Sequence, residues 1–199
     1  MTRRADSERK PQLLAEIIEY LSDRPLSTLT FRGLAEHLDV STFTLVYHFG
    51  TKDELMAEVV AGIYARQRRA LDTAGLYTAS IDDYFAGVRR FWQWGLAPHN
   101  RQLQRLAFEA AMIESLNESA TGVTTAALTS WHDAVMTGLL KLGVPRESAR
   151  AESRSMVTAM YGLQYDLIVL GDVDRVDDAF EHMLETFRQR IRSLTAMPA

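Results

Sequence analysis

Hydrophobic residues recur at helical spacing along this chain, and that periodicity constrains its fold more than any other feature. In residues 81–96, Tyr84, Val88 and Trp92 follow one another at intervals of four, which places them on one face of an α-helix. Residues 176–194 carry a similar stripe. No segment shows the alternation of a half-buried strand, and there is no internal repeat. The sequence therefore predicts an all-α fold.

Composition excludes several classes of protein. The 199 residues are 47% hydrophobic, which is enough to build a core. The chain contains no cysteine, so disulfides, thiolate metal sites and thiol catalysis are excluded. The first ten residues lack the apolar run of a secretory signal, and no stretch reaches the ~18 consecutive apolar residues of a membrane span. We therefore predict a cytoplasmic protein without a metal or other cofactor.

Charge is distributed unevenly along the chain. Residues 1–69 contain ten Lys or Arg and ten Asp or Glu, whereas residues 70–199 contain twelve and sixteen, so the net charge of −4 arises in the second part. The basic residues of the first ten positions are Arg3, Arg4, Arg9 and Lys10. Such a basic arm is typical either of a solvated terminus or of a segment that contacts nucleic acid.

Residues 30–49 contain two short amphipathic segments separated by a tight turn at Asp39 and Val40. Thr30 and Ser41 are placed to cap the two helices, because their hydroxyl groups can accept hydrogen bonds from amides of the first turn. Each helix is too short to be stable alone in water, so both must pack on other elements. The pattern predicts two helices that meet at an angle across a short turn.

The second of these helices presents large side chains to the outside. Leu45 and Phe49 lie one turn apart and form its core-facing side. At ~100° per residue, the opposite side consists of Thr42, Phe43, Thr44, Val46 and Tyr47. An exposed phenylalanine and tyrosine are unusual for a face that serves only solvation. The face therefore predicts contact with another molecule.

The stretch LAEHLDVSTFTLVYHFGTKDEL resembles the helix-turn-helix of the TetR family of transcriptional repressors. Thr44-Leu45, His48-Phe49 and Lys52 carry the resemblance at their spacing, and the all-α layout agrees with it. The resemblance implies an N-terminal arm and DNA-binding domain over residues 1–52, a linking helix over residues 53–71, and an effector-binding and dimerisation domain over residues 72–199. It also implies a homodimer that represses transcription from double-stranded operator DNA containing an inverted repeat.

The resemblance also assigns roles to residues of the exposed face. Thr42, Phe43 and Tyr47 would face base edges in the major groove, Thr44, His48 and Lys52 would hold phosphates, and Arg32 would reach the flanking DNA. These roles agree with the outward face that the periodicity predicts. A helix in the major groove would explain why this face is not polar throughout.

Two residues depart from the pattern of the family. Asp39 stands at a turn position where glycine is more frequent and where the backbone is left-handed, a conformation that aspartate tolerates less easily than glycine. Val46 stands where the family usually has a tyrosine. One expected phosphate or groove contact is therefore missing, and the neighbouring Tyr47 can compensate for it.

The C-terminal part contains more large apolar side chains than one buried stripe per helix requires. The predicted lining of a ligand pocket is Trp92, Phe108, Met112, Trp131, Met160, Tyr161 and Tyr165. Concave apolar sites are lined in this way, so we predict a small apolar effector that releases the protein from its operator. A second interpretation keeps the DNA-binding domain and assigns the C-terminal helices to dimerisation or protein contacts alone, without a ligand.

Apolar residues in the last two long helices predict the dimer interface. Their spacing of three and four marks a continuous seam. The predicted interface residues are Met156, Phe180, Met183, Phe187 and Ile191. Two helices from each subunit would then form a four-helix interface.

An enzyme is the alternative from a different functional class, but the sequence offers no catalytic motif. It lacks the G-x-S-x-G elbow, the H-E-x-x-H zinc motif and a glycine-rich phosphate loop. His132 and Asp133 come nearest to an acid–base pair, yet adjacent helical residues point ~100° apart and cannot face each other. The sequence therefore predicts no catalysis.

Overall fold

Every regular element that the structure describes is a helix. This computed structural model describes residues 2–78, 80–116 and 122–196, with side chains from residue 8 onward. Its α-helices are α1 (Thr2–Leu21), α2 (Phe31–Leu38), α3 (Thr42–Phe49), α4 (Lys52–Ala74), α5 (Ile81–Leu96), α6 (Pro98–Ser115), α7 (Val123–Lys141), α8 (Arg146–Leu170) and α9 (Val173–Ala196). A short 3-10 helix, Leu26–Thr28, lies between α1 and α2. The predicted all-α fold is confirmed.

The first helix is longer than predicted. The sequence predicts a start at Pro11, because proline at the first helical position sacrifices no hydrogen bond, but α1 begins at Thr2 and contains Pro11. A proline inside a helix removes one backbone donor, and here the polar residues 2–10 continue the helix ahead of it. The side chains of Arg3 and Arg4, which belong to the predicted basic arm, lie outside the described residues.

Side-chain caps fix where several helices begin. The hydroxyl of Thr30 accepts a hydrogen bond from the amide of Gly33 at 3.2 Å, which confirms the predicted cap of α2. At the start of α7, the Glu114 carboxylate accepts a hydrogen bond from the amide of Thr124 at 3.0 Å, so α6 supplies the cap of the next helix. These bonds satisfy first-turn amides that have no partner within their own helix.

The chain divides into two compact units. The first contains Met1–Gln67 and Gln102–Thr125, and the second contains Arg68–Arg101 and Ala126–Ala199. Both α4 and α6 therefore contribute residues to each unit. The functional division at residues 52 and 71, which the family resemblance implies, stays a prediction.

The first unit has a core to which α1, α2, α3, α4 and α6 all contribute. Fully buried leucines of this core are Leu13, Leu34, Leu45, Leu55 and Leu106. Burying one such side chain stabilises the fold by about 1.5–3 kcal/mol. The short helices α2 and α3, which are too short to be stable alone, are held in place by this core.

The second unit packs α5 against α9 through a large aromatic pair. The Trp92 indole stacks on the Phe180 ring with centroids 4.5 Å apart and planes inclined by 6°. The Trp92 Nε1–H donates to the Asp177 carboxylate at 2.7 Å, so its polar atom is also satisfied. Arg89 of α5 and Glu181 of α9 form an ion pair at 2.6 Å. These contacts hold α9 against α5 of the same chain.

Most of the side chains predicted to line the dimer interface are instead buried within the second unit. Met156, Phe180, Phe187 and Ile191 are at most 6% exposed and belong to its core, with Met183 partly buried against them. Periodicity shows which face of a helix is buried, but not which chain covers it. Here the helices of the same chain cover that face, and the predicted dimer interface stays a prediction.

Candidate nucleic-acid interface

A tight turn sets the angle between α2 and α3. Asp39 has φ 51° and ψ 46°, the left-handed conformation that few residues other than glycine, asparagine and aspartate adopt. Among the described residues it is the one non-glycine position with positive φ. The amide of Val40 donates to the carbonyl oxygen of Ala35 at 3.1 Å, which closes the end of α2. The left-handed turn expected from the sequence is present.

The side of α3 that the sequence predicts to face outward is exposed. Phe43 is 77% exposed and Tyr47 66%, with Val46 between them at 47%. On the opposite side, Leu45 and Phe49 are 0% and 2% exposed. These exposed aromatic side chains lie outside the core of the first unit. Exposed apolar surface of this kind is typical of a site that binds another molecule.

The N-terminal end of α3 is capped as predicted. The Ser41 hydroxyl accepts a hydrogen bond from the amide of Thr44 at 3.0 Å, and the hydroxyl groups of these two residues lie 2.8 Å apart. Thr42 is exposed next to this cap. The helix dipole and the first-turn amides favour negative charge at this end of α3, and Thr44 lies in that first turn.

The C-terminal end of α3 passes into α4 through a second tight turn. Gly50 has φ 70°, and a Cβ at this position would lie 2.2 Å from Oε2 of Glu54, so the turn needs glycine. The amide of Thr51 donates to Glu54 at 2.7 Å, and the amide of Glu54 donates to the Thr51 hydroxyl at 3.2 Å. The hydrogen bonds to Thr51 lower the pKa of the Glu54 carboxyl. This capping box fixes the first turn of α4, where Lys52 is exposed.

The basic residues near the helix-turn-helix differ in their surroundings. Arg32 is exposed on α2. His48 is partly buried, and its ring lies edge-on to that of Tyr47 with centroids 5.1 Å apart. Lys10, which the sequence assigns to the basic arm, pairs instead with Glu58 at 2.6 Å. Lys10 therefore ties α1 to α4 within the first unit.

One contact that the sequence did not predict holds the segment ahead of α2. The Arg105 guanidinium on α6 donates to three backbone carbonyl oxygens within residues 21–24 at 3.0–3.2 Å and pairs with Glu109. The Glu109 carboxylate in turn accepts a hydrogen bond from the amide of Leu26 at 2.6 Å. We call this arrangement the Arg105–Glu109 clasp. An Arg and a Glu four residues apart on a helix usually form a solvated surface pair, so their spacing gave no signal of this role.

The side chains predicted to line an effector pocket lie in different surroundings. Phe108 and Met112 belong to the first unit, and the other five belong to the second. In exposure they run from Trp92 at 1% and Met160 at 9%, through the partly buried Phe108, Trp131 and Tyr161, to Tyr165 at 61% and Met112 at 62%. Trp92 serves the core through its stack on Phe180. The pocket itself stays a prediction.

His132 is partly buried and Asp133 is exposed. Burial lowers the pKa of the His132 imidazole, and the nearby Arg154 adds to the effect. Within the described ranges, no group of three His, Asp or Glu side chains is arranged to hold a metal ion. Of the helices described, none is both long and apolar enough to span a membrane.

Residues 13–59 match the sequence model of the bacterial regulatory proteins of the tetR family. The match covers most of α1, all of α2 and α3, and the first turns of α4. These are the elements that build the exposed face of α3 and its two turns. A comparison with curated proteins gives no significant match.

Solved structures share the fold over nearly the whole chain. A transcriptional regulator from Rhodococcus sp. Rha1 has a TM-score of 0.76 at 18% identity, with 95% of this chain and 99% of that one covered. A TetR transcriptional regulator from Legionella pneumophila has a TM-score of 0.65 at 16% identity, with coverage of 91% and 94%. The TetR family repressor AlkX from Dietzia sp., implicated in the biodegradation of n-alkanes, has a TM-score of 0.56 at 13% identity, with coverage of 96% and 99%.

At these identities the solved structures establish the fold, while the family match falls on the helix-turn-helix. Both agree with the resemblance carried by residues 30–55 and with an all-helical chain. Residues 13–59 therefore carry the helix-turn-helix domain of the tetR family of bacterial regulatory proteins.

Proposed function

We propose that this protein is a homodimeric repressor that leaves its operator when a small molecule binds its C-terminal domain. The observation that carries the proposal is the exposed face of α3, where Phe43 and Tyr47 project from a helix whose Leu45 and Phe49 are buried. A recognition helix held in this way enters the major groove of DNA. Because it acts on chromosomal DNA, the protein works in the cytoplasm.

The recognition helix makes few hydrogen bonds to bases. α3 contains no Arg, Asn or Gln, the side chains that bond guanine or adenine at two atoms. Phe43 suits the methyl group of thymine, and Thr42 and Tyr47 offer hydroxyl groups to base edges. Arg32 reaches the flanking DNA, and the sequence-dependent shape of the duplex supplies the remaining specificity.

Phosphate contacts position α3 in the groove. Thr44 lies in the first turn of α3, where the helix dipole favours an anion. Lys52 is exposed at the start of α4, and the capping box of Thr51 and Glu54 holds that turn. His48 contributes a third contact. Because each neutralised phosphate releases counterions, binding weakens steeply as salt rises.

The dimer uses the outward faces of α8 and α9, since their apolar stripes are buried within the subunit. The proposed contact is one exposed stripe on each helix, flanked by the exposed Arg154 and Glu185: Ala151, Ser155, Thr158, Gly162, Tyr165 and Val169 on α8 and Ala179, His182 and Thr186 on α9. No residue of the two stripes is Lys, Arg, Asp or Glu, and depletion of charge is typical of the centre of protein–protein interfaces. A Cβ at Gly162 would meet no atom within 4 Å. Nothing in the subunit therefore requires glycine there, whereas close approach by a second helix would.

The proposed repressor differs from a simple DNA-binding dimer because a small molecule regulates its affinity for the operator. We call this regulation ligand control. A repressor with this fold is implicated in the biodegradation of n-alkanes, and we propose repression as the direction for this chain too. Phe108, which is partly buried on α6 within the first unit, supplies apolar surface for an effector. If the C-terminal helices served dimerisation alone, no small molecule would change operator affinity.

Coupling between ligand and DNA runs through α4 and α6. α4 starts at the proposed phosphate contact of Lys52, and α6 holds residues 21–26 through the Arg105–Glu109 clasp. A dimer reads two half-sites at a fixed separation, so a small shift of either DNA-binding domain matters. A ligand that binds the two arrangements with unequal affinity, by about 1–3 kcal/mol, changes operator affinity by roughly 5–150-fold.

Selection of binding sites from random DNA tests the proposed function. The wild-type protein should enrich an inverted repeat whose half-sites lie about one helical turn, or a multiple of it, apart. Phe43→Ala should lose the preference at one thymine of each half-site. Tyr77→Ala, which removes a partly exposed tyrosine of the second unit, is the matched control and should enrich the same repeat. A pool without enrichment for the wild-type protein would contradict the proposal.

A thermal-shift screen with apolar metabolites and drugs tests ligand control. A compound that raises the melting temperature should also weaken operator binding. By linkage, saturating operator DNA should weaken the compound by the same factor, which calorimetry on the free and DNA-bound dimer can measure. Equal affinity for the compound in both states would leave a DNA-binding dimer that no ligand regulates.

A further inference from the structure

A buried glutamine and a partly buried glutamine of the first unit face each other with part of their hydrogen-bonding capacity unused. Gln67 of α4 is 2% exposed, and its Nε2 donates to Oε1 of Gln104 of α6 at 2.8 Å. Within the described part of the chain, neither Oε1 of Gln67 nor Nε2 of Gln104 has a hydrogen-bond partner, although both atoms are buried. The two facing amides therefore retain one unsatisfied acceptor and one unsatisfied donor.

Packing alone does not account for this pair. Two facing primary amides can form two parallel hydrogen bonds, yet only one is present here. Most buried polar atoms in folded proteins are bonded, because leaving them without a partner is costly. Apolar side chains would avoid that cost, and the same two helices use them nearby at Ile63 and Leu103, which are 0% and 1% exposed.

Tyr64 and Arg105, which neighbour the pair along α4 and α6, offer no free charge to a ligand. Tyr64 lies one turn before Gln67 on α4, and burial raises the pKa of its hydroxyl, so the group stays neutral at physiological pH. Arg105, which follows Gln104, is engaged in the Arg105–Glu109 clasp. The pair itself therefore offers two neutral amides, and Arg101, one turn before Gln104 on α6, has a buried Nε without a hydrogen-bond partner in the described part of the chain.

We propose that Gln67 and Gln104 form a hydrogen-bonding subsite for a neutral ligand that carries a donor and an acceptor on adjacent groups, as an amide or a lactam does. The N–H of such a ligand would donate to Oε1 of Gln67, and its carbonyl oxygen would accept from Nε2 of Gln104. This subsite rests on the proposed ligand control and gives the effector a polar end in addition to its apolar part. Because Gln104 precedes Arg105 on α6, a ligand anchored here acts on the helix that holds residues 21–26.

Side-chain amide signals of the two glutamines in nitrogen-15 NMR spectra test the proposal. The probes are δ-valerolactam, which has both a donor and an acceptor, and cyclohexanone, a ring of the same size with an acceptor only. Titration with the lactam should shift both glutamine signals to saturation, and cyclohexanone should bind about tenfold more weakly, as the loss of one hydrogen bond predicts.

The variants separate a subsite from a structural pair. Gln67→Leu/Gln104→Leu should bind the lactam no better than cyclohexanone, and because replacing both partners of a hydrogen bond by apolar groups is often nearly neutral, the fold should persist. Gln67→Met is the second variant if the double variant does not fold, and it should lose the same preference. Gln12→Leu, the same change at an exposed position of the first unit, should bind both probes as the wild type does.

Equal affinity for the two probes, or glutamine signals that do not move at the highest soluble lactam concentration, would overturn the subsite. Operator affinity, measured in the same samples, keeps the two proposals apart. Lactam binding at the two glutamines with unchanged operator affinity would support the subsite and contradict ligand control. Absence of operator binding under all conditions would contradict the proposed function, and the NMR titration would still decide the subsite.

Discussion

Asp39 fixes the turn between α2 and α3 in a conformation that is unfavourable for most L-residues. The left-handed region costs an ordinary residue about 1–2 kcal/mol, and aspartate is among the few that enter it routinely. The φ of 51° at Asp39 therefore makes the direction of α3 depend on the residue type at one position. Glycine would adopt this conformation without a steric penalty.

Substitution of Asp39 tests this dependence. Asp39→Val should lower the free energy of unfolding by about 1–2 kcal/mol, because a β-branched residue is forced into the left-handed region. Asp39→Gly should leave stability unchanged or raise it. Urea denaturation measures both. If Asp39→Val were as stable as the wild type, the turn would not be left-handed in solution.

Lys52 is predicted to act on DNA through charge alone. Lys52→Ala should weaken binding about equally for all DNA sequences and reduce the slope of log affinity against log salt by roughly one, because one phosphate contact is lost. Lys141→Ala, which removes a lysine of the second unit, is the control and should leave the slope unchanged. Fluorescence anisotropy at several salt concentrations measures the slope. Loss of sequence preference in Lys52→Ala would contradict a purely phosphate-binding role.

At the scale of the helices, the sequence predicted helix caps and exposed faces, because both depend on residues that are close together in the chain. Thr30 and Ser41 cap α2 and α3 as expected, because capping depends only on the first turn of each helix. The outward direction of Phe43 was predictable for the same reason, since Leu45 and Phe49 define the opposite side. The start of α1 was not predictable, because the preference of proline for a first turn does not prevent it from lying inside a longer helix.

Contacts between distant parts of the chain could not be predicted from periodicity. The Arg105–Glu109 clasp joins α6 to residues 21–26, more than 80 positions away, and no local pattern encodes it. The pair of the buried Gln67 and the partly buried Gln104 was missed because isolated glutamines on amphipathic helices usually face solvent. The apolar stripe of α9 was predicted as a dimer seam, and in the structure its Phe180, Phe187 and Ile191 are buried within the subunit.

Removal of Arg105 tests the clasp. Arg105→Ala should lower the free energy of unfolding by about 1–3 kcal/mol, because it leaves the partly buried Glu109 without its partner and three carbonyl oxygens without a donor. It should also weaken operator binding, since residues 21–26 precede α2. Arg150→Ala, on the exposed side of α8, should change stability by about 0.5 kcal/mol or less. Equal stability of the two variants would show that the clasp contributes nothing.

At the scale of the whole molecule, the outward faces of α8 and α9 should decide the oligomeric state. Phe187 was predicted to lie in the dimer interface, but it is 6% exposed within its own subunit. Phe187→Glu would bury a charge and unfold the subunit, so this variant cannot test the interface. Gly162→Arg is the better change, since the subunit has open space there. Light scattering should show monomers with the helical circular dichroism of the wild type. A dimer of undiminished stability would place the interface elsewhere.

Replacing single thymines of the operator by deoxyuridine tests whether Phe43 contacts a thymine methyl group. In the selected operator, each thymine is replaced in turn by deoxyuridine, which lacks only that methyl group. For the wild-type protein, affinity should fall by about 1 kcal/mol, roughly fivefold, at one position of each half-site, as burial of one methyl group predicts. Phe43→Ala should bind the thymine and deoxyuridine operators equally at that position. If every replacement affected the wild-type protein and Phe43→Ala to the same extent, the exposed face of α3 would not be the surface that reads the bases.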